Sequence, residues 1–253
     1  MSVSLPRSVV AALWVSHADS ADDWLVRASA AITGTDEPHR TTEDAPLAVL
    51  LTQLLELRGT TFAALPVPHQ PVGLTGVAAV AAMDAGECIV VDPGAHQPGL
   101  VAVPEVTAFG SALEPGAMVR WQTHHAQISV APVGLSEARS MLAEALVVAV
   151  DALESMDVAR WRPDAAEEIA ELASAAVPHH IADALPAELD PRRAHLLVRA
   201  ARLEAIAELA MADDGAAVTL WAADQRHAAL RHVAGAARQA MTAASTFPPP
   251  GPR

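Results

Sequence analysis

The sequence predicts an α+β protein: a small N-terminal sheet with two or three helices, followed by a C-terminal bundle of about four helices. Two observations carry that prediction. Between Thr60 and Pro132 the chain consists of short β-type runs punctuated by Pro and Gly, the pattern of a sheet. Beyond Pro132 the apolar residues recur at three- and four-residue spacing, and no further strand-like run follows. The expected division is residues 1–133 for the sheet-containing part, 134–246 for the helical part and 247–253 for a disordered tail, FPPPGPR, which cannot continue a helix.

Taken in order, Ser8–Ser16 (SVVAALWVS) is a continuous apolar run ending in polar residues, and it is expected as a buried strand. Ser20 then caps a helix with Trp24, Leu25, Ala28 and Ile32 on one face. A second helix has Asp44 near its start, a stripe of Leu47, Leu50, Leu51, Leu54 and Leu55, and Gly59 as its C-terminal stop. The sheet comprises TTFAALPV, ECIVVD, GLVAVPEV, AMVRWQTHH and QISVAPV, with a short helix over Val77–Met83 ended by Gly86. Alternation in Met118–His125 puts Val119, Trp121 and Thr123 on a buried face and Arg120, Gln122 and His124 on a wet one.

Helices are then expected at Ser136–Met156, Asp164–Val177, Pro191–Ala212 and about Ala217–Ala244. Asp190-Pro191 is a start signal, because Asp accepts from free N–H groups and Pro has none to leave unsatisfied. Asp213-Asp214-Gly215 is read as the turn of an antiparallel hairpin formed by the last two helices.

Composition removes whole mechanisms. The 253 residues include 57 Ala but no Lys, Asn or Tyr, and all 16 cationic side chains are Arg. Without Lys there is no Schiff base and no phosphate-loop or kinase-type Lys. Without Asn there is no N-glycosylation acceptor and no Cys-His-Asn protease. A single Cys, Cys88, allows no internal disulfide or multi-thiolate metal site, in keeping with a cytoplasmic protein. No apolar stretch reaches the ~20 residues of a membrane span, and the N-terminus lacks the features of a signal peptide. The net charge of −14 argues against nucleic acid and anionic membrane as partners. It is uneven, with −17 in residues 1–191 and +2 in residues 192–244.

The stretches PVGLTG (71–76), DAGECIVVDPG (84–94), VPEVTAFGSALEPGAMVRW (103–121) and RLEAIAELAMADDGAAV (202–218) resemble a family of uncharacterised proteins of high-GC Gram-positive, actinobacterial type. The resemblance spans most of residues 60–244 and rests on Pro/Gly spacing and the closing helical hairpin. It implies no assigned activity, so it transfers no functional residue. A high-GC genome also accounts for Ala-rich, Arg-for-Lys composition.

Each candidate site has a plainer alternative. Gly134-Leu135-Ser136-Glu137-Ala138 sits where a nucleophile elbow would present Ser136, but its second Gly is replaced by Ala138 and no later strand supplies Asp and His. Helix capping explains Ser136 as well. His124 and His125 point to opposite faces of a strand, and His179-His180 is expected in a loop. Neither has the spacing of a zinc motif, so no metal and no cofactor is assigned. Cys88, beside Glu87, is read as a buried inert thiol, because a neighbouring anion raises its pKa. Gly73–Gly76 and Asp92–Gly94 are too short for a dinucleotide fingerprint.

The Arg stripes remain. Arg192, His195, Arg199 and Arg202 share one helix face, and His227, Arg231 and Arg238 share another. Pairing with the chain's own carboxylates is preferred over an external anion. The expectation is therefore a non-enzymatic soluble cytoplasmic protein with a structural or interaction role and no catalytic residues assigned. A homodimer is expected, since Ala-rich helices bury little area each. The alternative is an enzyme or binder that holds a small anionic ligand at the sheet–helix junction through Arg120, His124, Arg199 and Arg202.

Overall fold

The computed structural model describes residues 3–18, 21, 23–68, 70, 72–94, 97–111, 113–129, 132–155, 177–212 and 220–249. The chain divides into two compact units. A sheet unit comprises Pro6–Pro132, Ala182–Asp190 and Ser245–Arg253, and a helical unit comprises Met1–Leu5, Val133–Ile181 and Pro191–Ala244.

The sheet unit opens with a helix, not the expected strand: α1 runs Arg7–Ser16. Every residue from Ser8 to Val15 is buried, so the run is apolar on all sides and lacks the periodicity that separates helix from strand. Helix α2 follows at Trp24–Thr33, with Trp24, Ala28 and Ile32 buried as expected and Leu25 half-buried. Ser20 lies outside the described residues. Helix α3 spans Leu47–Glu56 and buries Leu47, Leu50, Leu51 and Leu54. Gly59 does not terminate it; Arg58 takes the left-handed conformation at φ 47°. Gly59 instead lets two backbones approach, since a Cβ there would lie 2.3 Å from the Asp92 carbonyl oxygen. Helix α4, Gly76–Ala85, ends at Gly86 in the left-handed region, φ 73°, as the sequence predicts. Among the described residues, Pro6–Pro132 thus holds four helices where two or three were expected, α1 being the addition.

Five strands form one sheet in the order β1-β5-β4-β3-β2. They are β1 Arg40–Thr41, β2 Thr60–Ala64, β3 Cys88–Asp92, β4 Gly99–Gly110 and β5 Pro115–Ala126. β1 pairs parallel to β5 and all other pairings are antiparallel. QISVAPV is not a strand in its described residues: β5 ends at Ala126, opposite the first residue of β4, so nothing remains to pair with. One face of the sheet packs on α1, with Trp121 and Val119 buried. The other carries a core of Phe62, Ala64, Cys88, Val90, Val101 and Val103 beneath Ala78 and Ala82 of α4. The outer edge of β2 is closed by the chain's C-terminal part: Thr61 and Phe247 exchange both backbone hydrogen bonds at 2.9 Å, and the Ala63 N–H donates to Ser245 Oγ at 3.2 Å.

In the helical unit, α5 (Leu135–Ser155) and α7 (Pro191–Ala212) both pack on α8 (Leu220–Ala244). α5 turns Ala138, Leu142, Ala145 and Ala149 inward, a regular three-and-four row. His179 and His180 open a short helix, α6 (His179–Ala184), instead of lying in a loop. Pro178 supplies the carbonyl for its first turn, accepting from the Ile181 N–H at 3.1 Å. The expected helix over 164–177 and the turn at 213–215 lie outside the described residues. The Arg side chains tie the hairpin together. Arg238 pairs with Glu204 at 2.7 Å and Glu208 at 3.3 Å. Arg193 donates to the carbonyls of Ala243 and Ala244, and Arg226 to that of Ala210, satisfying groups that helix C-termini leave open. Among the described residues no helix is long and apolar enough to cross a membrane.

Candidate functional site

Helix α4, with the sequence GVAAVAAMDA, has one charged residue, Asp84, and is apolar on every side. Such a helix is normally enclosed all round. Ala78 and Ala82 rest on the sheet, but Val77 is 73% exposed and Val80 61%. Val77, Val80, Ala81, Asp84 and Ala85, spaced one helical row apart, form one wall of a groove of about 450 Å³. The other wall is Val103, Pro104, Glu105 and Val106 of β4, with Gln122 of β5. That volume lies within the ~300–1,000 Å³ of ligand sites. Gln122 Nε2 donates to Glu105 Oε2 at 2.8 Å.

Alternation assigns Val103 and Glu105 to one face of β4 and Pro104 and Val106 to the other. The groove lies over the α4-facing side of β4 and β5, where Val103, Glu105 and Gln122 point, and reaches the backbone of β4 at Pro104 and Val106. The β4 edge there is open: β3 pairs with β4 only over Leu100–Ala102. From Glu105 to Gly110 every residue of β4 is exposed. Beyond the groove the β4–β5 hairpin shows Phe109, Met118 and, at its tip, Leu113, which is 94% exposed.

A second polar assembly lies on the other side of the sheet unit. Arg7 Nε donates to Asp36 Oδ2 at 2.6 Å, His39 Nε2 meets the same oxygen at 3.2 Å, and Trp121 Nε1 donates to His39 Nδ1 at 3.2 Å. With Nδ1 accepting, His39 is neutral and its Nε2–H faces Asp36. Burial lowers the His39 pKa, and the pull of Asp36 does not restore it. Burial also opposes the Asp36 charge, but hydrogen bonds from Arg7 and His39 outweigh it and hold the carboxyl below the usual range. Glu87 accepts from the Ser8 N–H at 2.7 Å, and burial nevertheless raises its pKa. Both His39 nitrogens are engaged, so this assembly joins α1, the Asp36–His39 segment and β5 and presents no free base to a substrate.

The sequence-predicted residues fall in both units. Arg120 and His124 share the α4-facing side of β5, with Glu105 and Val101 as register partners on β4, but that side, expected wet, is half-buried because α4 lies over it, and Thr123, expected buried, is exposed. The Arg120 side chain makes no hydrogen bond or ion pair among the described residues. His124 Nε2 is buried without a hydrogen-bond partner. Neither lines the groove. Arg199 lies exposed on α7 in the helical unit, one turn from the half-buried Arg202. Ser136 is exposed in the first turn of α5, and His180 Nε2 lies 2.7 Å from the Val3 carbonyl oxygen. Cys88 is fully buried, and burial, reinforced by Glu87, drives its thiol pKa upward. Among the described residues no group of three or more His, Cys, Asp or Glu is placed to hold a metal ion.

Sequence reasoning missed the groove and the His39 assembly. The signal available for the groove was α4's lack of a polar face; His39 offered none, because its partners lie 3 and 82 residues away.

No curated protein and no solved structure matches the chain. Two family models do: the N-terminal domain of the Rv1486c-like protein over residues 8–136, and its C-terminal domain over residues 136–242. The chain belongs to the Rv1486c-like protein family, an uncharacterised mycobacterial family, in line with the actinobacterial resemblance of its sequence.

Proposed function

We propose that the protein is a non-enzymatic cytoplasmic protein with an interaction role, and that it works as a homodimer. The observation that supports this reading best is the apolar surface of the sheet unit, where Val77, Val80, Val106, Phe109, Leu113 and Met118 are exposed. Exposed apolar side chains gathered in this way mark interaction surfaces in soluble proteins. In the helical unit, Val147, Val148 and Val150 of α5 are exposed as well, which supports self-association of Ala-rich helices. The acidic net charge favours a partner other than nucleic acid. Part of the same proposal is a division near residue 133, which limited proteolysis tests; Phe247, expected in a disordered tail over 247–253, is instead held against Thr61 of β2, and Ala182–Asp190 groups with the sheet unit. Light scattering tests the homodimer: a mass of twice 26.3 kDa is expected, and a monomer at every concentration rejects it.

A second reading keeps the anionic ligand. It draws support from Arg120, which has no ion pair among the described residues, and from the orphaned His124 Nε2. Arg199 and Arg202 belong to the other unit and form a separate candidate. A thermal-shift screen against anionic metabolites and nucleotides decides. A stabilising hit abolished by Arg120→Ala or Arg199→Ala replaces the first reading with this one.

A further inference from the structure

We propose that the groove between α4 and β4 receives an extended, basic segment of a partner protein, which joins the sheet as an additional strand along the open edge of β4. The inference rests on the interaction reading above and names the class of partner.

The first argument is the unfinished sheet. Because Ile89 pairs with Ala102, the register of β3 reaches Val103 at Cys88 and ends there. Gly86 turns the chain back into α4. From Pro104 to Gly110 the edge of β4 opposite β5 has no strand beside it among the described residues, a length of about 20 Å at ~3.3 Å per residue. The other exposed flanks of the sheet are handled differently. Phe247 bridges β2, and β1 with Thr42 covers part of β5, the Thr42 N–H donating to the Trp121 carbonyl at 3.0 Å. Unpaired edges are ordinarily blunted in one of these ways.

The second argument is the wall facing that edge. A strand laid beside β4 projects alternate side chains to the two faces of the sheet. Those on the α4 side meet Val77 and Val80, whose exposure leaves α4 with apolar side chains that no described residue covers. A helix parallel to a free strand edge, with apolar side chains between them, is a recurrent way of taking up an extended peptide. Main-chain hydrogen bonds supply affinity there and alternate side-chain pockets supply selectivity.

The third argument is charge, and it decides the occupant. Among the described residues, the charged ones lining the groove are Asp84 and Glu105, both acidic and both exposed. Arg120 is the cross-strand neighbour of Glu105 but is not among the lining residues. A second copy of this chain presenting the same edge would set these carboxylates against their equivalents. A segment carrying Arg or Lys among its apolar residues avoids that repulsion; Pro104, which has no N–H to give to any added strand, sits at the end of the open edge and leaves Glu105–Gly110 to pair.

The test is selection of random decapeptides by display on the full-length protein, followed by affinity measurement on the selected sequences. Expected winners alternate apolar with other residues and carry Arg or Lys. Val80→Glu lowers their affinity at least ~10-fold, and Glu105→Arg lowers that of the basic ones similarly. Both positions are exposed, and although Glu105→Arg sets a second cation across from Arg120, the melting temperature stays within about 5 °C and serves as the folding check. Methylating the peptide amides that face β4 abolishes binding, whereas methylating the intervening ones does not. The proposal is overturned if no sequence is enriched, if the winners are acidic or lack alternation, or if they bind both variants as well as the native protein. It is also overturned if Val80→Glu converts a dimer into monomers, which makes a second copy the occupant. A native dimer that enriches no peptide leaves the homodimer reading standing and removes only this one.

Discussion

Replacing Asp36 by Ala tests whether the Arg7–Asp36–His39–Trp121 assembly holds α1 to the sheet. The substitution removes a 2.6 Å charge-assisted hydrogen bond to Arg7 and the acceptor for the His39 Nε2–H. The Arg7 and Asp36 side chains are 28% and 14% exposed, so water compensates part of the first loss, which we put at about 1.5 kcal/mol. The His39 side chain is completely buried, and its stranded donor costs a further ~1.5 kcal/mol. The sum of about 3 kcal/mol corresponds to a fall in melting temperature of roughly 6–12 °C for a chain of this size. Calorimetry at neutral pH measures it, and a double-mutant cycle with Arg7→Met isolates the pair. The pH profile adds a signature. Asp36 has a depressed folded-state pKa, so its stabilisation is full above its unfolded value near 3.8 and is lost as pH falls through the lower folded value. The variant lacks that acid-side loss. A cost below ~0.5 kcal/mol, the size of an ordinary surface substitution, refutes the reasoning.

Three further predictions follow from the same geometry. Glu87 has a raised folded-state pKa, so the native state favours its neutral form, and stability falls as pH rises from its unfolded value near 4.5 through the higher folded one; Glu87→Gln keeps an acceptor for Ser8 and is expected to reduce this fall in thermal melts above pH 4.5. Gly59→Ala drives a Cβ to within 2.3 Å of the Asp92 backbone and should cost ~2 kcal/mol or more in urea unfolding, whereas a cap-type Gly would cost about 1. Arg193→Met removes two donors from the last carbonyls of α8 and should speed amide exchange in its final turn, at a cost of ~1–2 kcal/mol to the helical unit.

Much of the fold was legible because local pattern and tertiary role agree. The Leu stripe of α3, the alternation that separates Trp121 from Arg120 and His124, and the Asp-Pro start of α7 each express one dominant local rule. α1 was misread because it is buried on every side, which erases the period that distinguishes helix from strand. The α1–sheet assembly was hidden because Arg7, Asp36, His39 and Trp121 meet only after folding. The candidate groove depends on where β3 stops relative to β4, a property of strand register that no single segment encodes. The Arg stripes were legible as positions but not as roles: Arg238 pairs with acids as expected, while Arg193 and Arg226 serve helix carbonyls.

The central claim is that the protein acts through the edge of β4 and the wall of α4, and methyl NMR of valine-labelled protein tests it most directly. Titration with a selected basic peptide should shift the methyls of Val77, Val80 and Val106 together, while those of Val147, Val148 and Val150 on α5 stay in place. Saturable binding that leaves the first three valines unmoved contradicts the account.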